Sequence, residues 1–301
     1  MGMVLTAFMM VGELAGAGII SVPHAIAHTK FWPGLLLMLI TGVTTTITAV
    51  MLGECWTMLL QRHDEYRRGC RQPYAEIALR AFGPKMHLIT CIANNITQFG
   101  GTVVLLLLTA KNLNDSLHSL FNLHQVHLCY LIVVLTIMLL PFSFLRSPEN
   151  FWWAILFGMA CTLCAIVFII IGASIDFSTC HSHVVPPLWQ TNKFLGAFGT
   201  MIFTYGGHPV YPTLQVDMRR PVDFRWSAII GQSFTSLLYF PVAIFAYLTY
   251  GGSVGDSIIN SIQTQWIQQV INLLVMSHCF VGLFLLLKLF ISNIKQNTIT
   301  M

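Results

Sequence analysis

A chain of 301 residues that is 55% hydrophobic and only 9% charged is excluded from the ordinary soluble globules, in which about a quarter of residues are charged. Its mean hydropathy of +0.72 points to lipid as the solvent. The net charge of +4 is small and follows from the loop bias described below, so no nucleic-acid surface is implied.

Spanning a bilayer takes roughly 17 to 25 apolar residues per helix. Eight stretches qualify, at about 3–27, 33–60, 86–110, 127–145, 152–175, 193–217, 226–250 and 266–291. Several exceed the hydrocarbon thickness, which implies tilt or extension into the interface. The pattern predicts an all-α, polytopic membrane protein with residues 1–301 forming one transmembrane domain. The first stretch runs on past residue 20, unlike a cleavable signal peptide.

That first stretch carries Gly12, Glu13, Gly16-Ala17-Gly18 and Pro23-His24 in mid-span, and is predicted as a broken helix. Backbone freed at membrane depth is tolerated only against protein or a cavity. Small residues there also serve plain helix packing, and for one break alone the two readings are balanced. Glu13 is the sharpest single residue, because a carboxylate in an apolar helix must be paired, hydrated or protonated. It is a candidate proton acceptor or, alternatively, a structural Glu bonded to a neighbour. Glu54, near the end of the second stretch, reads as structural.

In the third stretch Asn94, Gln98 and Gly101 fall on one helix face, either touching a solute or cross-linking helices. Asn114-Asp115-Ser116 is expected in an external loop as a glycosylation acceptor, whereas Asn95-Ile96-Thr97 lies within a span. Cys55, Cys91, Cys161, Cys164 and Cys279 sit in apolar runs and read as small buried hydrophobes. Cys129 and Cys180 flank the fourth and fifth stretches on the outer side and are a candidate disulfide.

The sixth stretch holds Thr204-Tyr205-Gly206-Gly207-His208-Pro209 and then Tyr211-Pro212, a second predicted break. Two breaks in corresponding halves point to a solute site between them. His208 is a titratable candidate there, or a cap for freed carbonyls. Ser277 and His278 in the eighth stretch are candidates to face the pathway.

Basic residues concentrate on one side: Arg62, Arg67, Arg68, Arg71, Arg80 and Lys85, then Arg146, then Arg219, Arg220 and Arg225, with Lys295 after the last stretch. The other side has Lys30, Lys111 and Lys193. This bias predicts a cytoplasmic N-terminus. The outer Cys180, His181 and His183 lack a suitably placed acid or base and read as a solvated loop rather than a zinc site. No catalytic motif is present, so neither an enzyme nor a metal or organic cofactor is expected.

Gly16-Ala17-Gly18 through Pro23, Tyr205-Gly206-Gly207-His208, Gln215-Val216-Asp217-Met218-Arg219-Arg220-Pro221 and the Tyr74–Ala78 segment together resemble the amino acid/auxin permease family over nearly the whole chain to about residue 275. The resemblance implies a LeuT-type inverted-repeat bundle, with a first repeat at about 3–175 and an incomplete second at about 193–291. It also implies eleven helices, so eight read as truncated, as in a splice product or gene-model fragment. The implied function is secondary active amino-acid transport, with a proton (or sodium) as coupling ion and symport as the mode. The alternative is an amino-acid sensor or non-transporting isoform.

On this reading the substrate-binding set is Ala15, Gly16, Ala17, Gly18, Ile19, Thr204, Tyr205, Gly206, Gly207, Asn94 and Gln98. A half-helix starting near Gly18-Ile19 would present N–H groups to the substrate carboxylate. Carbonyls near Leu14-Ala15 and Thr204-Tyr205 would take the ammonium, and Glu13 and His208 would couple the proton. Expected partners are the amino acid, the lipid bilayer and an associated full-length homologue. The membrane is the plasma membrane or a vesicular or lysosomal one.

Overall fold

The computed structural model describes residues 1–70, 72–121, 127–143, 152–183 and 189–300. Arg71, Arg146 and Pro186-Pro187 lie outside them. The described residues are helices and their connections, without a strand. Six helices are long and apolar enough to cross a membrane: α1 (Met3–Thr29), α2 (Phe31–Arg62), α4 (Pro84–Phe121), α6 (Trp152–Cys180), α9 (Phe224–Tyr250) and α10 (Gln265–Thr300). The other two expected spans differ. α5 (Leu128–Ser143) is shorter, and the sixth stretch is split into α7 (Thr191–Thr204) and α8 (Tyr211–Val216). The amphipathic α3 (Pro73–Phe82) lies between α2 and α4, where the Tyr74–Ala78 segment was expected to be helical.

α1 is the inner helix. Of its most apolar 18-residue window 67% is buried, against 17% for α2, which faces outward. It packs on α9, α7 and α6, and its small residues admit the neighbours. A Cβ on Gly12 would sit 3.0 Å from Ile155 Cγ2, and one on Gly18 would sit 2.3 Å from the Tyr239 hydroxyl. Within lipid there is little hydrophobic gain from bringing helices together, so close packing through small residues carries the association.

The expected break in α1 is not found: residues 3–29 form one continuous helix that contains Pro23. The second break is found. Gly206 N–H donates to Phe203 O, Gly207 N–H to Tyr205 O and Val210 N–H to Gly207 O, each at 3.0–3.1 Å, so turns replace the helical ladder between Tyr205 and Val210.

The ends are fixed by polar clamps. At the end bearing Met1, Gln215 on α8 is fully buried and its Nε2 donates to Gly53 O and Pro221 O, both at 2.9 Å. Arg219 N–H donates to Met1 O. At the opposite end α1 turns into α2 through Lys30, whose φ of 66° is the one positive value at a non-glycine among the described residues. There Asp176, buried at the end of α6, accepts from Tyr250 Oη at 2.6 Å and Gln263 N–H at 2.8 Å.

Three further expectations are corrected. Asn114 lies inside α4 rather than in a loop, because α4 runs on to Phe121. Cys129 and Cys180 are free thiols; α5 packs on α4 and α10, whereas α6 packs on α1, α9 and α10. Burial holds for Cys91, Cys161 and Cys279, but Cys55 is half-buried and Cys164 exposed. His181 is engaged, with Nδ1 2.7 Å from Leu248 O and its ring stacked on Phe177.

Candidate functional site

The break opens onto a cavity of about 100 Å³ in the middle of the bundle. α1 contributes Gly12, Glu13, Leu14, Ala17 and Gly18. The break contributes Thr204, Gly206, Gly207, Pro209 and Val210. α4 adds Thr97, Gln98 and Gly101, and α10 adds His278 and Gly282. Helix, broken helix and two further helices thus enclose one space, and most of the wall is small or apolar.

Two titratable side chains stand on that wall. Glu13, half-buried, makes no hydrogen bond or ion pair among the described residues. His278 is almost fully buried, and its Nδ1 lies 3.0 Å from both Gly158 O and Thr162 Oγ1. A carbonyl oxygen only accepts, so Nδ1 carries the hydrogen and Nε2 keeps the lone pair of the neutral ring. Nε2 lies against Gly16: a Cβ built there would meet it at 1.9 Å. Gly16 is therefore the residue that lets the imidazole reach α1.

The site residues expected from sequence divide. Ala17, Gly18, Thr204, Gly206, Gly207 and Gln98 line the cavity, and Glu13 stands beside them. Ala15 and Ile19 are packed into the core at 1% and 0% exposure, and Gly16 is covered by His278. Tyr205 is wholly buried, its hydroxyl 3.1 Å from Ser236 on α9. Asn94 is not in the wall; Thr97, on the neighbouring face of α4, is. His208 turns toward α2, with Nε2 2.8 Å from Thr48 Oγ1, and does not line the cavity. Because α1 is unbroken, the N–H groups of Gly18 and Ile19 belong to its own ladder. They are not free for a carboxylate, and that expectation is corrected.

One residue was missed. Tyr239, fully buried on α9, donates its hydroxyl to Leu14 O at 2.7 Å and stands 3.4 Å from Thr204 O. These are the carbonyls expected to take an ammonium, and a phenol holds the two segments together there. The signal in the sequence was a tyrosine in mid-span, whose hydroxyl needs a partner when it is buried.

Comparison with known proteins fits this arrangement. The whole chain, residues 1–301, matches the family of transmembrane amino acid transporter proteins. Amino acid transporter AVT1J of Arabidopsis thaliana is 26% identical over 267 residues, covering 86% of this chain and 60% of the relative. Amino acid transporter AVT1H of the same plant is 27% identical over 259 residues, covering 83% and 56%. Vacuolar amino acid transporter 4 of Saccharomyces cerevisiae is 24% identical over 244 residues, covering 79% of this chain and 33% of its own length. The chain therefore spans from a third to three fifths of the length of these relatives. A multi-pass integral membrane protein built of helices, it belongs to the transmembrane amino acid transporter family.

Proposed function

We propose that the chain is a secondary active amino-acid carrier that binds a small zwitterionic amino acid in the cavity between α1 and the Tyr205–Val210 break, coupled to protons through Glu13. The observation that carries this is a Glu without a hydrogen bond or ion pair among the described residues, standing with a His on the wall of one cavity. A volume of about 100 Å³ favours glycine, alanine or serine over amino acids with large side chains.

Glu13 takes the coupling proton, so that proton and amino acid occupy the cavity together and cross together, while the ammonium turns to the carbonyl oxygens at the break. A carboxylate held at membrane depth is costly enough for substrate or proton to be the preferred company. With the α1 amides engaged, the substrate carboxylate turns to the Gln98 amide in the wall. The turns at Gly206 and Gly207 supply a segment whose local rearrangement opens the cavity to one side or the other. The basic-residue bias supports a cytoplasmic N-terminus. Labelling of the exposed Cys129 by an impermeant maleimide applied outside intact membranes checks it, since that thiol lies at the end opposite Met1.

The test is uptake of tritiated alanine by proteoliposomes containing the full chain, with an imposed pH gradient. Wild type accumulates alanine when the gradient drives protons along with it. Glu13→Gln loses gradient-driven accumulation while retaining alanine exchange between two equal pools. Accumulation by wild type that ignores the gradient defeats the coupling. Absence of both uptake and exchange defeats the carrier reading.

A further inference from the structure

A second cavity lies nearer the end of the bundle opposite Met1. It encloses about 290 Å³ and is lined by eight residues, all amides, a carboxylate or an imidazole: α4 supplies Asn114, Asp115 and His118, and α10 supplies Gln265, Gln269 and Asn272 among others. Every residue in its wall carries a polar side chain. Asn272 is 1% exposed, and its Oδ1 has no hydrogen-bond partner among the described residues; the same holds for Gln269 Oε1. A buried amide oxygen left unpaired is costly, so these two acceptors call for a donor inside the cavity.

Both cavities belong to one seam. On α4 the residues Gln98, Gly101 and Leu105 line the inner cavity, and the same face continues through Asn112 to Asp115 at helical spacing. On α10, Gly282 and Leu286 line the inner cavity, and the face continues upward through Val275 to Asn272. Asn112, 2% exposed, stands between the cavities with its Nδ2 unpartnered among the described residues. The outer carboxylate accepts from the Asn260 amide and stands in the field of Lys111 and His118; the Lys111 Nζ itself lies 4.0 Å from Asp256.

We infer that this outer cavity is a second binding site for the amino acid's polar head, its ammonium taken by Asp115 and the unpaired oxygens of Gln269 and Asn272, and its carboxylate by the surrounding amide N–H groups. The inference rests on the carrier reading above and extends it. The wall is mostly polar, so the site favours the backbone groups that all amino acids share. It is also the larger of the two cavities, and so accepts side chains that the inner one disfavours. The outer site captures; the inner site selects by size.

Equilibrium binding to the purified full chain, with tritiated L-alanine and L-glutamine as probes, decides this. Wild type is expected to bind a second equivalent of alanine and a single equivalent of glutamine. Asp115→Asn and Asn272→Leu each remove one equivalent of alanine and all glutamine, whereas Gly18→Ala removes the other alanine and leaves glutamine. A single alanine equivalent abolished by Gly18→Ala, with no saturable glutamine binding, would show a cavity filled by water and overturn this inference alone. No alanine binding at all would overturn it together with the carrier reading. The wild-type stoichiometries suffice even if a variant fails to fold.

Discussion

The Gly16–Pro23 stretch of α1 and the Gly206–Pro212 stretch between α7 and α8 look alike on paper, yet one stays helical and the other does not. The difference lies in the density of breakers and in what fills the space beside the glycines. A proline inside a helix costs about 3 kcal/mol or more, and a glycine about 1 kcal/mol relative to alanine. From Gly206 to Pro212 two adjacent glycines and two prolines fall within two turns, and His208 is steered away from helix by the proline that follows. In α1 a single proline stands well beyond the glycines. Those glycines are also used: His278 fills the space at Gly16, and Tyr239 with Thr204 fills that at Gly18. Helix continuity is retained where tight packing repays it.

The largest effect in testing this contrast is expected from Gly18→Val. The added Cβ alone would come within 2.3 Å of the Tyr239 hydroxyl and 2.6 Å of Thr204 Cγ2, both buried. Overpacking of this kind costs about 1–3 kcal/mol, and here the atoms that must move are part of the cavity wall or its brace. Alanine uptake should fall below detection while the protein still purifies with a lowered melting temperature. Normal uptake in this variant would mean that α1 does not lie against the site.

Next come the prolines. Replacing Pro209 and Pro212 together by alanine removes about 6 kcal/mol of opposition to helix and leaves about 2 kcal/mol from the glycines. The segment should then become helical, seen as slowed amide exchange at 205–212, and uptake should drop about tenfold or more. Pro23→Ala, in a helix already continuous, should change uptake less than about twofold, because its gain is local. Equal losses in the two variants would erase the distinction drawn between the regions.

Much of this architecture was legible because hydropathy reports membrane spans directly, and because Pro209 and Pro212 around Gly206-Gly207 leave the backbone few alternatives. The state of α1 was not legible. Gly16-Ala17-Gly18 is compatible with a break or with close packing, and only the presence of His278 and Tyr239, 262 and 221 positions further along the chain, decides between them. Facing was legible only in part. His208 belongs to the break but points to Thr48, while His278, expected to face the pathway, does line the cavity. Of the stripe on α4, Gln98 and Gly101 meet the cavity and Asn94, one turn earlier, does not: periodicity names a helix face, but the neighbours determine which part of it meets the cavity.

The finest probe of how the two regions meet is Tyr239→Phe. The ring and its edge-on contact with Tyr205, at 5.5 Å between centroids, are kept, and only the hydroxyl is lost. Leu14 O retains its own helical donor, so that half of the loss is one ordinary hydrogen bond, about 0.5–1.5 kcal/mol. Thr204 O is different. It ends α7, its helical donor lies beyond the break, and the Tyr239 hydroxyl is the group standing 3.4 Å from it. Removing the hydroxyl leaves a carbonyl beside the cavity that an alanine ammonium can reach. The variant should therefore be less stable than wild type by about 1 kcal/mol, yet show a larger rise in melting temperature when saturated with alanine. A structural brace alone predicts the stability loss without the larger ligand response, so the two measurements together separate a phenol that merely ties α1 to the break from one that holds the substrate's place.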